Sequence, residues 1–296
     1  MKAHAPTTLL LRILILLSIT SLSVCIGTVE GIPWTPDYEG ALRKAQQTRR
    51  PVLTYLYTDS CNYCKKMEAT TFKDPLVREE MREGYLWVKL NAETDPTGVQ
   101  LREKFQISNY PTIFVMDHDG FEVDRLTGYV DAQNFKAKVE EYLASPNSFK
   151  KLQETVESNP HSSTANFELA HKYLTRNSLL EAAKHFVNVI VYAPENKSEM
   201  TDTSYYWLAF TLASGSQPEE ALKQLKTLAT KFPRSAARAD GYILESQIHT
   251  FADRLDPAVS ALQAFLTEFP ENEKRPWVEL MLQELAPNST PMVRSH

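Results

Sequence analysis

Cys61-Asn62-Tyr63-Cys64 places two thiols three residues apart, close enough to pair with each other and to trade that bond with a second disulfide. The apolar run Pro51-Val52-Leu53-Thr54-Tyr55-Leu56-Tyr57 precedes the pair, and Lys65-Lys66-Met67-Glu68 opens a helical stretch after it. A thiol at the first turn of a helix faces free backbone N–H groups and the positive end of the helix dipole. Both stabilise its thiolate. On this placement Cys61 is the solvent-facing candidate nucleophile, and Cys64, nearly one turn on, is the inward-facing resolving thiol. A Cys61 thiolate attacks a substrate disulfide, and Cys64 then attacks the mixed disulfide to release product. Lys65 and Lys66 add positive potential near that thiolate, while Asp59 opposes it.

Two other uses of such a pair fit less well. Half of a zinc site needs two further ligands. No second cysteine pair exists, and His118, His161, His171, His185, His249 and His296 are not spaced as ligand pairs. No metal is expected, and no cofactor beyond the Cys61–Cys64 disulfide itself. A purely structural bridge would close too short a loop to constrain much unfolded chain. The third cysteine, Cys25, belongs to the N-terminal segment.

That segment is of a different material. Met1, Lys2, His4 and Arg12 give a positive start, and Ile13 to Ile26 is an uncharged apolar run. A membrane-spanning helix needs about 20 apolar residues, so the run has the dimensions of a secretory signal, placed at 1–27. Left uncleaved it would be an anchor. Lipid on Cys25 is the third alternative, although Val24 stands where a lipoprotein signal requires a small residue. The expected location is outside the cytoplasm, in a bacterial periplasm, with membrane contact only through an uncleaved or lipidated N-terminus. The net charge of −5, without a basic stripe, argues against nucleic acid.

Behind the cysteines, residues 32–145 alternate strands and helices. A short opening strand leads into a helix from Trp34 to Gln47, with Tyr38, Ala41, Leu42 and Ala45 at helical spacing. Lys65 to Arg82 reads as helical with a break near Lys73-Asp74-Pro75, Tyr85 to Leu90 as a core strand, and Val99 to Phe105 as a helix. Pro111 to Met116 and Phe121 to Leu126 flank the turn Asp117-His118-Asp119-Gly120 as a β-hairpin. Asp131 caps a closing amphipathic helix that runs to Leu143. The pattern predicts a mixed sheet covered by helices.

Residues 146–287 lose the strand signal and repeat. Leu180–Pro194, Glu219–Pro233 and Asp256–Pro270 align, with Ala182, Ala221 and Ala258 in one column and Phe186, Leu225 and Leu262 in another. Partner helices lie around Ala165–Leu174, Ser204–Ala213 and Ala236–His249, and Arg275 to Leu285 is a terminal capping helix. Alanine lets helices approach closely and proline ends each second helix, so pairs stack into an all-α solenoid. The array is similar to tetratricopeptide repeats, which implies a groove that holds a protein partner.

Strand, C-x-x-C, helix, and then Tyr110-Pro111-Thr112 opening a later strand resemble the thioredoxin fold. The stretch from Thr58 to Glu68, with Thr71-Phe72-Lys73-Asp74-Pro75, resembles secreted thioredoxin-related proteins and the C-terminal domain of the bacterial membrane reductase DsbD. The resemblance implies that Pro111 is cis and lies beside the redox pair, that Tyr110 and Pro111 position substrate, and that Lys89 sits near the active site. It also exposes departures. Tyr55 stands where thioredoxin keeps a buried acid, Ser60 where it has tryptophan, Ala69 where it has a kink proline, and Asn62-Tyr63 between the cysteines. Tyr55, Asn62 and Tyr63, with Lys89, are therefore candidates for tuning the pair. The implied function is an exported thiol–disulfide oxidoreductase acting on protein thiols and disulfides. The alternative is a scaffold or holdase using the thioredoxin-like unit as a platform. The presence of both cysteines speaks against it.

Overall fold

Strand β2 (Val52–Tyr57) forms the centre of a five-stranded sheet ordered β1-β3-β2-β4-β5, with β1 at Trp34–Thr35, β3 at Leu86–Asn91, β4 at Thr112–Met116 and β5 at Glu122–Thr127. The structure, a computed structural model, describes residues 31–195 and 200–285. β3 pairs parallel with both β1 and β2, whereas β4 is antiparallel to β2 and to β5. The expected secretory signal at 1–27, with Cys25, lies outside the described residues. Among those residues, no helix is long and apolar enough to cross a membrane.

Period-two alternation sorts the strands onto two covered faces. Leu53 and Tyr55 point into a cluster with Met67, Trp87 and Phe135. That side is roofed by α2 (Asn62–Ala69) and α4 (Ala132–Ala144). Val52 and Leu56 pack on the other side with Val88, Phe114 and the alanines of α1 (Tyr38–Thr48), near Leu101 of α3 (Pro96–Lys104).

Local chemistry fixes where elements start and stop. α3 begins three residues before its expected start, because the Asp95 carboxylate accepts from the Gly98 N–H and Pro96 opens the helix. The Asp131 carboxylate accepts from Asn134 N–H at the start of α4. In the hairpin, the Asp117 carboxylate accepts from the N–H groups of Asp119 and Phe121, and Gly120 takes φ 84°, which glycine adopts without steric cost. The break expected near Pro75 comes earlier. α2 ends at Ala69, a 3₁₀ turn covers Thr71–Lys73, and a π turn covers Leu76–Glu80. The Thr71 hydroxyl donates to the Val130 carbonyl, which ties this break to the loop before α4.

From α5 (Phe149–Ser158) onward the chain is helical. The pairs are α6 (Ser163–Leu174) with α7 (Leu179–Tyr192), α8 (Thr201–Ser214) with α9 (Pro218–Lys231), and α10 (Ala237–Phe251) with α11 (Leu255–Glu268), followed by α12 (Arg275–Leu285). Ala182, Ala221 and Ala258 are fully buried, and Phe186, Leu225 and Leu262 fill the next column. Each pair turns through a left-handed residue five positions before that alanine: Asn177, Ser216 and Asp253, at φ 56°, 60° and 54°. The following N–H reaches back over the turn each time, Ser178 to Tyr173, Gln217 to Leu212 and Arg254 to His249.

The helices join the sheet at its β5 edge. Buried Arg176, just past α6, donates to the carboxylates of Glu122 at 2.9 Å and Asp124 at 2.6 Å on β5. Its guanidinium also lies 3.9 Å from the ring centre of Phe149 in α5. Lys172 adds a second bond to Asp124. Burial would raise the Asp124 carboxyl, but the Arg176 charge and the Lys172 bond outweigh it and hold the group below the usual carboxylate range.

Candidate active site

Cys61 is the N-cap of α2. The turn Thr58–Cys61, closed by the Cys61 N–H on the Thr58 carbonyl, carries the chain from β2 into that helix. Cys61 and Cys64 are joined as a disulfide with their Cα atoms 5.2 Å apart. The Cys61 sulfur accepts a hydrogen bond from the Cys64 N–H at 3.0 Å. This donor aims where a thiolate would carry its charge. Cys61 is partly exposed, whereas Cys64 is 1 % exposed and belongs to the core beneath α2. Asn62 is exposed, and the Tyr63 ring is 62 % exposed beside the pair.

Under α2, Tyr55 is fully buried and its hydroxyl lies 3.2 Å from the Glu68 carboxylate and 3.4 Å from the Cys64 carbonyl. Burial raises its pKa first and the Glu68 charge adds to it, so the phenol keeps its proton and acts as a donor. Lys89 is the direct neighbour of Tyr55 in the β2–β3 register. Its ammonium pairs with Glu68 at 3.0 Å and sits 4.6 Å from the ring centre of Tyr57. Glu68 therefore joins Tyr55 and Lys89, one helical turn beyond Cys64. Sequence reasoning had placed it only in a motif. The available signal was its i+4 spacing from Cys64, which puts both on one face of α2.

The Tyr110–Pro111 bond is cis. Thr112, the next residue, pairs with Leu56 near the end of β2, so Pro111 lies at the end of the sheet from which the cysteines emerge. Tyr110 packs against both core clusters, the one containing Cys64 included. The Pro111 carbonyl accepts from the Gly128 N–H at 2.8 Å. The loop after β5 thereby borders the site. Tyr129 on that loop carries Lys66 over its ring at 4.0 Å, and its hydroxyl is 3.4 Å from that of Thr70. Among the described residues, no group of three or more His, Cys, Asp or Glu side chains is arranged to hold a metal ion.

This sheet, with a C-x-x-C at the start of α2 and a cis-proline just before β4, defines a thioredoxin-like domain, and residues 38–143 match the family model described as a thioredoxin-like domain. Thiol:disulfide interchange protein DsbD of Pectobacterium atrosepticum is 34 % identical over 109 residues, or 36 % of this chain and 18 % of the relative. DsbD of Escherichia coli K12 is 34 % identical over 90 residues, 30 % of this chain and 16 % of the relative. The chain thus matches less than a fifth of the length of these curated relatives. The oxidised C-terminal domain of Neisseria meningitidis DsbD is 29 % identical, with 35 % of this chain and 91 % of that one covered at a TM-score of 0.31.

Proposed function

We propose that this protein is an exported thiol–disulfide oxidoreductase that acts on protein substrates through Cys61 and Cys64, while its helical repeats hold a protein partner. The observation that carries this reading is the placement of Cys61. It caps α2, is partly exposed, and receives the Cys64 N–H on its sulfur, with Cys64 buried one turn behind. The likeness to thiol:disulfide interchange proteins supports the same chemistry. The basic start and apolar run of the leader support export, with a bacterial periplasm as the compartment.

In the reducing direction the Cys61 thiolate attacks one sulfur of a substrate disulfide. The substrate S–S bond breaks, a mixed disulfide forms at Cys61, and the departing substrate thiolate takes a proton. Cys64 then loses its proton and attacks Cys61, releasing the second substrate thiol and leaving the Cys61–Cys64 disulfide. Two electrons have passed to the substrate, and a protein dithiol restores the pair. Tyr55, protonated, cannot accept the Cys64 proton. We assign that step to Glu68, four residues on along α2 and held by Lys89 and by the Tyr55 hydroxyl. Tyr110 and Pro111 supply the backbone against which the substrate chain lies.

The test is trapping on the exported form. Cys61→Ser abolishes reductase activity and covalent capture, whereas Cys64→Ser accumulates mixed-disulfide complexes through Cys61. Unchanged activity and capture in Cys61→Ser would falsify the enzyme reading and leave a scaffold whose thioredoxin-like unit is a platform.

A further inference from the structure

A cleft of about 670 Å³ separates the thioredoxin-like unit from the first repeat helix. Leu126, Val130 and Tyr142 give it an apolar floor, and Glu168, His171 and Thr175 of α6 and its cap form the opposite wall. Tyr129, on the loop after β5, also lines it. Gly128 on that loop donates to the Pro111 carbonyl, and Tyr129 touches Lys66 and Thr70 of the cysteine-bearing helix. On the other flank, a small hollow is shared by Ser108 and Asn109 with Thr175 and Asn177, which sets the α6 turn beside the segment entering Tyr110. The cleft and the redox site therefore share one rim.

We infer that this cleft holds the extended stretch of substrate polypeptide that flanks the reacting cysteine, and that it favours a segment with apolar side chains and a basic residue. The inference rests on the oxidoreductase reading and names the substrate class of that same site. A cysteine inside a protein carries chain on both sides, so a substrate over Cys61 and Tyr110 must leave across the rim, and the cleft continues from there. Charge selects the occupant further. Lys172 and Arg176 are spent on Asp124, Arg125 on Glu122, and Lys138 on Glu141. Asp131 is spent as a helix cap. Glu168 has no ion-pair partner among the described residues, and its neighbour His171 is held by burial below the usual imidazole range, so the uncommitted charge in the cleft is negative. A lysine or arginine of the substrate supplies its counterpart.

The experiment compares three substrates in single turnovers of the full chain, its cysteine pair reduced beforehand and the reductant removed. They are a disulfide-linked dimer of an apolar peptide with lysines on both sides of its cysteine, the same dimer with glutamines for lysines, and 5,5′-dithiobis(2-nitrobenzoate), which has no chain. Thr175→Trp, at an exposed position, narrows the cleft. It lowers the second-order rate constant for both peptides about tenfold relative to that for the small disulfide. Glu168→Lys lowers the lysine peptide about fivefold more than the glutamine peptide. Parallel changes on all three substrates, or none on any, overturn the cleft assignment. Absence of wild-type turnover on the small disulfide overturns the oxidoreductase reading itself, and the cleft assignment with it.

Discussion

At the scale of single residues, the proposed mechanism turns on Glu68, a carboxylate supplied by α2 where β2 carries no acid. Tyr55 occupies that strand position and cannot serve as a base, but its hydroxyl helps to hold Glu68 near the buried cysteine. Glu68→Gln is expected to slow release of the mixed disulfide on the order of a hundredfold, the lower end of the range of a positioned general base. First attack by Cys61 should change much less. Single-turnover decay of a preformed Cys61 mixed disulfide separates the two steps, and equal slowing of both would remove Glu68 from the resolving step. The Cys61–Cys64 pairing and the cis Tyr110–Pro111 bond were legible because each sits in a short motif with its own local chemistry. Glu68 was not legible. Its meeting with Lys89 depends on α2 lying over the β2–β3 pairing, a contact between elements that no single stretch of sequence spells out.

At the scale of elements, the repeats were readable from two buried columns, because alanine and a large apolar residue recur at fixed spacing. The turn column was hidden, since Asn177, Ser216 and Asp253 share a backbone conformation without sharing a residue type. Asparagine and aspartate tolerate the left-handed region through their short polar side chains, whereas serine gains less from it. Ser216→Gly should therefore stabilise the array by about 0.5 kcal/mol, the relief of left-handed strain being partly offset by a more flexible unfolded chain. Urea unfolding measures this, and a loss of stability would show that the Ser216 side chain contributes more than its backbone costs. The strand-to-helix boundaries around the site followed similar logic. The start of α2 was visible in the cysteine motif, but its end at Ala69 depends on the Thr71 hydroxyl reaching Val130.

At the scale of the whole molecule, the sheet edge and the repeat array meet through charges that lost their water. Asp124 is bonded by both Arg176 and Lys172, and its carboxyl is held below the ordinary value of 3.8. A carboxylate with a lowered folded-state pKa contributes stability that is present above its unfolded value and lost as the pH falls through the folded one. The junction should therefore weaken in acid below about pH 3.8. Asp124→Asn leaves Arg176 buried with part of its countercharge gone and should cost on the order of 3 kcal/mol at neutral pH. The variant should also show a shallower loss of stability in acid than the wild type. Thermal melts across that range check both, and an unchanged acid profile would mean that Asp124 does not carry the dependence. Nothing in the sequence announced this junction, because Glu122, Asp124, Lys172 and Arg176 look like ordinary surface charges until the edge strand brings them together.

The Arg176 clamp has a consequence for how substrates are ranked. A flexible tether would let the cysteine pair sample many distances from a docked partner, and selection would then depend on docking strength alone. A guanidinium fixed to β5 and laid on Phe149 removes that freedom at the junction. If the repeats hold a protein partner as proposed, the helices act as a ruler with the sulfur at its zero mark. A partner seated on them presents each of its disulfides at a local concentration set by the span of its own chain to Cys61, and that concentration falls once the span no longer fits. Reach along the substrate thus becomes a selection rule in its own right, written in spacing and not in affinity.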